Sequence, residues 1–435
     1  MFLTKITNYL VLLFLFLLPW QTRYIYQYGE INGQHWEYGT FSLFATEILL
    51  WLIVILFGIG RFGERKFWNK ITSKQHFKTH WKNLLFIFIF LGLNTLFVFA
   101  SLDSWISYQQ VLWILAGLCI GLVIINSEAC MKLKMPLALW LGGVLQAFLA
   151  TVQFFNQKIL ACKWLGMSAQ DPADLGVSVI EFADQRWLRA YGSFGWPNSL
   201  GVFLATCLLV GLIILIKHRK LKKYYLWMTA GQIVILSGLI LSFSRGAWLA
   251  VTAGIIVLVY IIRKNKILFE QLFYYLSLSL VSVVLLAPLF VARFNLENRV
   301  EYTSINEHKY QYIESANVIY RNFILGTGPG TYTLNQYQDN PNLQAWQYQP
   351  THNVYMLWLA EMGILGLVLY CLLILFLFKI IWKHNRVYAP IVVVVLVHGF
   401  FDHWLWSLYG GVVFWWVAWT LAMNRTNEVN SGSGS

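Results

Sequence analysis

The chain has 435 residues, of which 58% are hydrophobic and 12% charged, with a formal net charge of +13. Soluble domains carry about 25% charged residues, so this composition excludes an ordinary soluble fold. The basic residues sit in short clusters between apolar runs rather than on one stripe or tail, which excludes nucleic acid as the partner and makes them topology signals in a membrane.

A membrane-crossing helix needs roughly 20 mostly apolar residues. By that measure the chain is an all-α polytopic membrane protein, a single membrane domain over residues 1–430, with about twelve spans. In chain order they fall near 6–22, 41–60, 84–101, 110–127, 136–155, 196–216, 224–243, 245–262, 271–292, 352–378, 388–403 and 406–423. The first run lacks a small-residue cleavage site, so it reads as a helix and not a signal peptide. The tail 431–435, Ser-Gly-Ser-Gly-Ser, reads as an appended linker. Cys119, Cys130, Cys162, Cys207 and Cys371 are scattered without metal-type spacing and imply no disulfide framework.

Lys and Arg clusters alternate with the helices: Arg61 to Lys82, Lys132 with Lys134, Lys217 to Lys223, Arg263 to Lys266, and Lys379 to Arg386. The positive-inside rule then puts both termini in the cytoplasm, while the acidic residues, among them Asp171, Glu181, Glu301 and Glu307, fall outside. Two outer connections, 156–195 and 293–351, exceed the roughly 12–15 residues of an ordinary loop and predict an ordered external cap. The second has a helical stretch near 306–322 and the aromatics Tyr302, Tyr310, Tyr312, Tyr332, Tyr337, Trp346 and Tyr348. Such rings suit stacking on sugars, against the plainer role of interfacial anchoring.

Three polar motifs interrupt the apolar background: R-A-Y-G-S-F-G-W-P-N from Arg189 to Asn198, S-F-S-R-G-A-W-L-A from Ser242, and T-H-N-V-Y-M-L-W-L-A-E-M-G-I-L-G from Thr351. Each opens an even-numbered helix, so all three converge on the outer membrane boundary. Helix N-termini present unpaired N–H groups and partial positive charge to anions. With Ser244 as cap, Arg245 adds a planar fork of donors matched to phosphate oxygens. The alternative is that Arg245 only reaches to a lipid headgroup.

His352, after Pro350 and with Thr351 as the expected cap, titrates near neutral pH when unperturbed and so suits activation of a hydroxyl; the plain alternative is a structural histidine. Asn353 offers an amide for sugar hydroxyls. Glu361, deeper in the same helix, is a supporting residue or a packing element with Gly363 and Gly366. Asn198, and His398 with Asp402 one turn apart, complete the supporting set, with His403 adjacent. Arg189, Arg299 and Lys309 are further outer cations. No metal motif and no nucleotide-binding loop is visible, and Gly326 to Gly330 reads first as a tight turn, with a phosphate cradle as the alternative. No cofactor is expected.

Through G-S-F-G-W-P-N, S-R-G-A-W-L-A, L-G-T-G-P-G-T-Y and H-N-V-Y-M-L-W-L-A-E-M-G-I-L-G, in that order over roughly residues 186–378, the sequence resembles the O-antigen ligase and Wzy polymerase superfamily of bacterial envelope glycosyltransferases. The resemblance implies metal-independent, inverting transfer of a glycan from an undecaprenyl-diphosphate carrier to an acceptor hydroxyl, on the outer face of the bacterial inner membrane. It implies that His352 activates the acceptor and that Arg245 contacts the diphosphate. The family often has a second arginine where this chain has Lys309; lysine lacks the bidentate fork, and Arg299 or Arg293 is the alternative. The acceptor implied is a lipid A core sugar, with a second carrier-linked chain or a hydroxyl of an exported protein as alternatives. From another class, a transporter would place its polar residues near the bilayer midplane within paired repeats, which are not visible here. A non-catalytic scaffold leaves the grouped motifs unexplained.

Overall fold

The computed structural model describes residues 2–62, 89–128, 131–217 and 223–423. Most of the Arg61 to Lys82 cluster, residues 218–222 of the third cluster, the start of the span expected at 84–101, Cys130 and the tail lie outside the described residues.

Helices dominate: α1 (Phe2–Leu17), α2 (Ala45–Phe62), α3 (Ile89–Phe99), α4 (Ser104–Ile125), α5 (Met131–Asn156), α6 (Pro197–Lys217), α7 (Tyr225–Leu241), α8 (Arg245–Ile262), α9 (Lys266–Leu285) and α10 (Ala287–Phe294). They continue as α11 (Arg299–Arg321), α12 (Tyr332–Asp339), α13 (Val354–Asn385), α14 (Ala389–His398), α15 (Trp404–Ser407) and α16 (Tyr409–Met423). Six helical stretches are long and apolar enough to cross a membrane by length and composition, and four shorter apolar helices accompany them. The chain is thus a mostly helical polytopic membrane protein. The expected twelve spans are not reached by that criterion among the described residues, because several expected spans are shorter helices. The run expected over 271–292 breaks at Leu286, where Pro288 opens α10 as a separate helix.

The expectation of a purely α chain also needs correction, because three small antiparallel strand pairs lie in the connections. β1 (Arg23–Gln27) pairs with β4 (Phe41–Phe44), β2 (Glu30–Ile31) with β3 (Gln34–His35), and β5 (Val179–Phe182) with β6 (Gln185–Leu188). The connection after α1 is therefore a third ordered element of the cap. Asn32 donates to the Pro341 carbonyl at 2.7 Å and to that of Leu343 at 3.1 Å, tying this connection to the large one before α13. Ile31, Trp36, Ala345 and Tyr348 bury a small apolar cluster beneath that tie, together with Ile106 of α4.

At the centre stands α6, whose hydrophobic window is wholly buried. It is apolar all round and carries no charge before Lys217, as expected of a helix surrounded by other helices. Its neighbours include α5, α7, α8 and α14.

Helix α13 is interrupted at Gly363, with φ 62° and ψ −168°, a conformation open essentially to glycine alone. The break lets the turn expected at Gly326 to Gly330 dock against it. Thr327 N–H donates to Ala360 O at 3.0 Å, Gly328 N–H to Glu361 O at 2.7 Å, and Ile364 N–H to Phe323 O at 2.8 Å. The Glu361 carboxylate closes the clasp by accepting from Gly330 N–H at 2.8 Å and Trp406 Nε1–H at 2.6 Å.

Candidate active site

Motif geometry begins at the turn between α7 and α8. Ser244 caps α8 by accepting from Ala247 N–H at 3.4 Å. Phe243 is held at φ 47°, rare for a bulky side chain, which marks the turn as constrained. The turn's carbonyls pin two arginines: Arg189 Nε–H donates to Ser242 O at 2.8 Å and Arg293 Nε–H to Phe243 O at 3.1 Å. Arg245 in turn donates to Arg293 O at 3.3 Å. Glu301, buried at the start of α11, offsets this density of positive charge by pairing with Arg245 at 3.0 Å and with Arg293.

A second chain of bonds leads towards the histidines. Arg189 donates to Asn198 Oδ1 at 3.0 Å, and Asn198 Nδ2–H donates to Asp402 Oδ2 at 3.1 Å. The other oxygen of Asp402 caps Trp404 N–H at 2.7 Å. Burial first, and then the neighbouring Arg293, pushes the Arg189 guanidinium down to about 9, so it stays cationic at neutral pH.

Arg189, Asn198, Arg245, Arg293 and Asp402 line one cavity of about 610 Å³, together with His352. The His352 ring meets His308 edge-on at 4.5 Å and His403 at 5.1 Å. Its Nδ1 lies 2.7 Å from Gln311 Oε1. An amide oxygen only accepts, so Nδ1 carries the proton and Nε2 keeps its lone pair. Burial, followed by His403, holds this imidazole down at about 4 despite the upward pull of Asp402. His308 is likewise lowered to about 4, by burial and then by His352. The result is a neutral imidazole with a fixed tautomer beside a cluster of fixed cations. Such a pair can take a proton from a hydroxyl and hold an anion.

The cavity thus gathers Arg189, Asn198, Arg245, Arg293, Arg299, His352, Asp402 and His403 of the residues named from the sequence. Arg299 stands at its edge, 79% exposed and paired with Glu181 at 2.7 Å. Lys309 is exposed on α11 and is not on the cavity wall. Glu361 belongs to the clasp, and His398 is fully buried away from the wall. Two roles change. Asn353, not Thr351, caps α13, its side chain accepting from Tyr355 N–H at 3.0 Å and Met356 N–H at 3.1 Å, so its carbonyl oxygen is engaged within the protein. Of the seven outer-loop aromatics only Tyr312 lines the cavity; Tyr332 and Tyr348 are buried, while Tyr302 and Tyr310 point outward.

Sequence reasoning passed over Tyr38, Glu301, His308 and Gln311 as site residues. A signal existed in α11, where Glu301, Ser304, His308, Gln311 and Ser315 recur at helical spacing as a polar stripe on its inner face. Among the described residues no group of three His, Cys, Asp or Glu side chains is arranged to hold a metal ion.

The fold and site define a polytopic membrane protein with a polar, arginine- and histidine-lined cavity where helix starts converge. Residues 230–371 match the family model described as O-antigen ligase, Wzy_C. That stretch holds Arg245, Arg293, Glu301, His308, Gln311 and His352, whereas Arg189, Asn198, Asp402 and His403 lie outside it. A segment of 91 residues is 34% identical to the general O-oligosaccharyltransferase of Acinetobacter baylyi (strain ATCC 33305 / BD413 / ADP1). The match takes in 21% of this chain and 14% of that relative's length.

Proposed function

We propose that the chain is a metal-independent, inverting glycosyltransferase that moves a glycan from an undecaprenyl-diphosphate carrier to an acceptor hydroxyl at the outer face of the bacterial inner membrane, within a bundle of about twelve spans. The observation that carries this reading is the joint presence, in one cavity, of the cations Arg189, Arg245 and Arg293 and the neutral His352 with a free Nε2. In the reaction the acceptor oxygen attacks the anomeric carbon and its proton passes to Nε2. The bond from that carbon to the diphosphate breaks, and the electron pair leaves with the diphosphate, whose charge the arginines hold. A positioned base contributes about 10²–10⁴-fold, and each preorganised donor on developing charge about 10²–10³-fold.

Support for a lipid-linked donor comes from an apolar groove of about 480 Å³ between α7, α8 and α9. Trp248 and Phe290 in its wall stack at 5.6 Å and lie one turn from Arg245 and Arg293 respectively. A polyprenyl chain in that groove would bring its diphosphate to the arginines. The acceptor favoured by the resemblance is a lipid A core sugar. A protein hydroxyl is the second reading, favoured by the name of the relative that shares 34% identity over 91 residues.

The test is transfer by the purified, nanodisc-embedded protein from a carrier-linked glycan to three acceptors: lipid A core, a second carrier-linked glycan, and a pilin-like peptide. Transfer to the lipid A core supports the first reading. Transfer to the peptide alone replaces it with the second, and no transfer to any acceptor overturns both.

A further inference from the structure

A second and larger cavity, about 820 Å³, lies between the connection after α1 and the start of α4, lined by none of the residues proposed for transfer. Its chemistry is the reverse of the first. Four tryptophans line it, Trp36, Trp51, Trp105 and Trp113, with Tyr26, Tyr28 and Tyr108. Its charged wall groups are the carboxylates Glu30, Glu47 and Asp103, and no Lys or Arg is among the lining residues.

Interfacial anchoring in lipid would account for the outward rings, such as Trp105 at 73% exposure. It does not account for the inner wall. Glu47 is only 7% exposed, and its Oε2 is buried without a hydrogen-bond partner, as is Trp36 Nε1. Buried polar atoms are ordinarily paired, so an unpaired carboxylate oxygen and an unpaired indole N–H on residues of one cavity wall point to a ligand that supplies polar hydrogens and acceptors. Acidic groups with no Lys or Arg among the lining residues disfavour phosphate. Flat aromatic faces beside carboxylates and the amides of Gln27 and Gln109 match the apolar faces and hydroxyls of sugar rings.

The two cavities are neighbours across a small third one. That space, of about 30 Å³, shares the wall residue Tyr38 with the first and Ser42, Ile106, Gln109 and Trp113 with the second. The Tyr38 ring also lies edge-on to His403 at 5.9 Å, one ring away from His352.

We propose that this second cavity is a saccharide-binding site, selective for neutral or amine-bearing sugars over anionic ones, that holds a stretch of glycan beside the transfer centre. The source of that glycan rests on the transfer reading; the binding itself does not. The test is a titration of nanodisc-embedded protein, followed by tryptophan fluorescence, with a tetramer of N-acetylglucosamine and its de-N-acetylated amine form. Saturable binding is expected, tighter for the amine. Trp105→Ala should weaken it about two- to tenfold, the range of one aromatic contact. Glu47→Gln should reduce the preference for the amine, and inorganic pyrophosphate should not compete. His352→Ala should bind both sugars normally, so failure of transfer and failure of this site are separable. No saturable binding of either sugar, or undiminished binding in Trp105→Ala, overturns the proposal. So does a Trp105 signal quenched by brominated lipid and insensitive to sugar, which identifies the wall as a lipid anchor.

Discussion

At His352 the decisive contact is with a residue 41 positions away. Gln311 fixes which ring nitrogen is free, so the imidazole is oriented as a base by a neutral partner rather than by a carboxylate. Loss of that partner lets the ring rotate or change tautomer, and a misplacement of about 1 Å in a reacting group costs on the order of 10²-fold. Gln311→Ala is therefore expected to lower kcat by that order with little change in KM for the donor. Steady-state kinetics on the purified variant check this, and a KM effect alone would make Gln311 a binding residue. The pH dependence follows from the same environment. Because His352 is lowered to about 4, the base-competent neutral form persists well below the usual histidine range and is lost only as pH falls through about 4. The acidic limb of kcat/KM should lie near there; a limb near 6.5 would mean a solvated imidazole. The fixed residues were visible in sequence because each sits in a polar motif at a helix start, as Arg245 and Asn198 do. Glu301, which joins Arg245 to Arg293, was not, since a glutamate in a polar outer connection carries no local mark of the two arginines that bury it.

Elements, not single residues, bring these groups together. Helix α11 presents its polar stripe inward and leaves Tyr302 and Tyr310 exposed, the inverse of an ordinary amphipathic helix, so aromatics that read as a sugar platform face away from the cavity. The clasp around Glu361 orders the turn between α11 and α12 against the break in α13. A Cβ at Gly363 would lie 2.2 Å from Ile324 O, backbone that cannot yield cheaply. Gly363→Ala should lose about 1–3 kcal/mol from backbone strain alone and more from the clash. A thermal unfolding midpoint in detergent equal to that of the unaltered protein would show that the break is not required. The tight glycine turn was legible from Gly-Thr-Gly-Pro-Gly. Its docking partner was not, because a glycine inside an apolar run reads as helix packing until the opposing backbone is known. The cap of α13 shows the same limit: Thr351 and Asn353 are both good caps, and only the chain's path selects Asn353.

For the whole molecule, apolar runs and charge alternation gave a polytopic bundle, and three distant motifs were expected at one boundary. They do meet: Arg189, Arg245 and His352, from three separate connections, line one cavity. Arg263 and Lys264 follow the far end of α8 from Arg245, an 18-residue helix that spans about 27 Å. With the cavity outside, a cysteine placed at Asp174 should react with a membrane-impermeant thiol reagent in intact cells, and one at Lys264 only after permeabilisation; the reverse pattern would invert the topology. What sequence could not give was the ordered connection after α1, whose two-residue strands β2 and β3 are too short to leave a period. The most direct test of glycan transfer through this cavity pairs two readouts on His352→Ala: binding of the carrier-linked donor, and its transfer to acceptor. The expected result is unchanged donor affinity with transfer reduced by about 10²–10⁴-fold, the contribution of a positioned base. Transfer at the unaltered rate, with donor still bound, would contradict the role of His352 and with it the assignment of this cavity as the site of reaction.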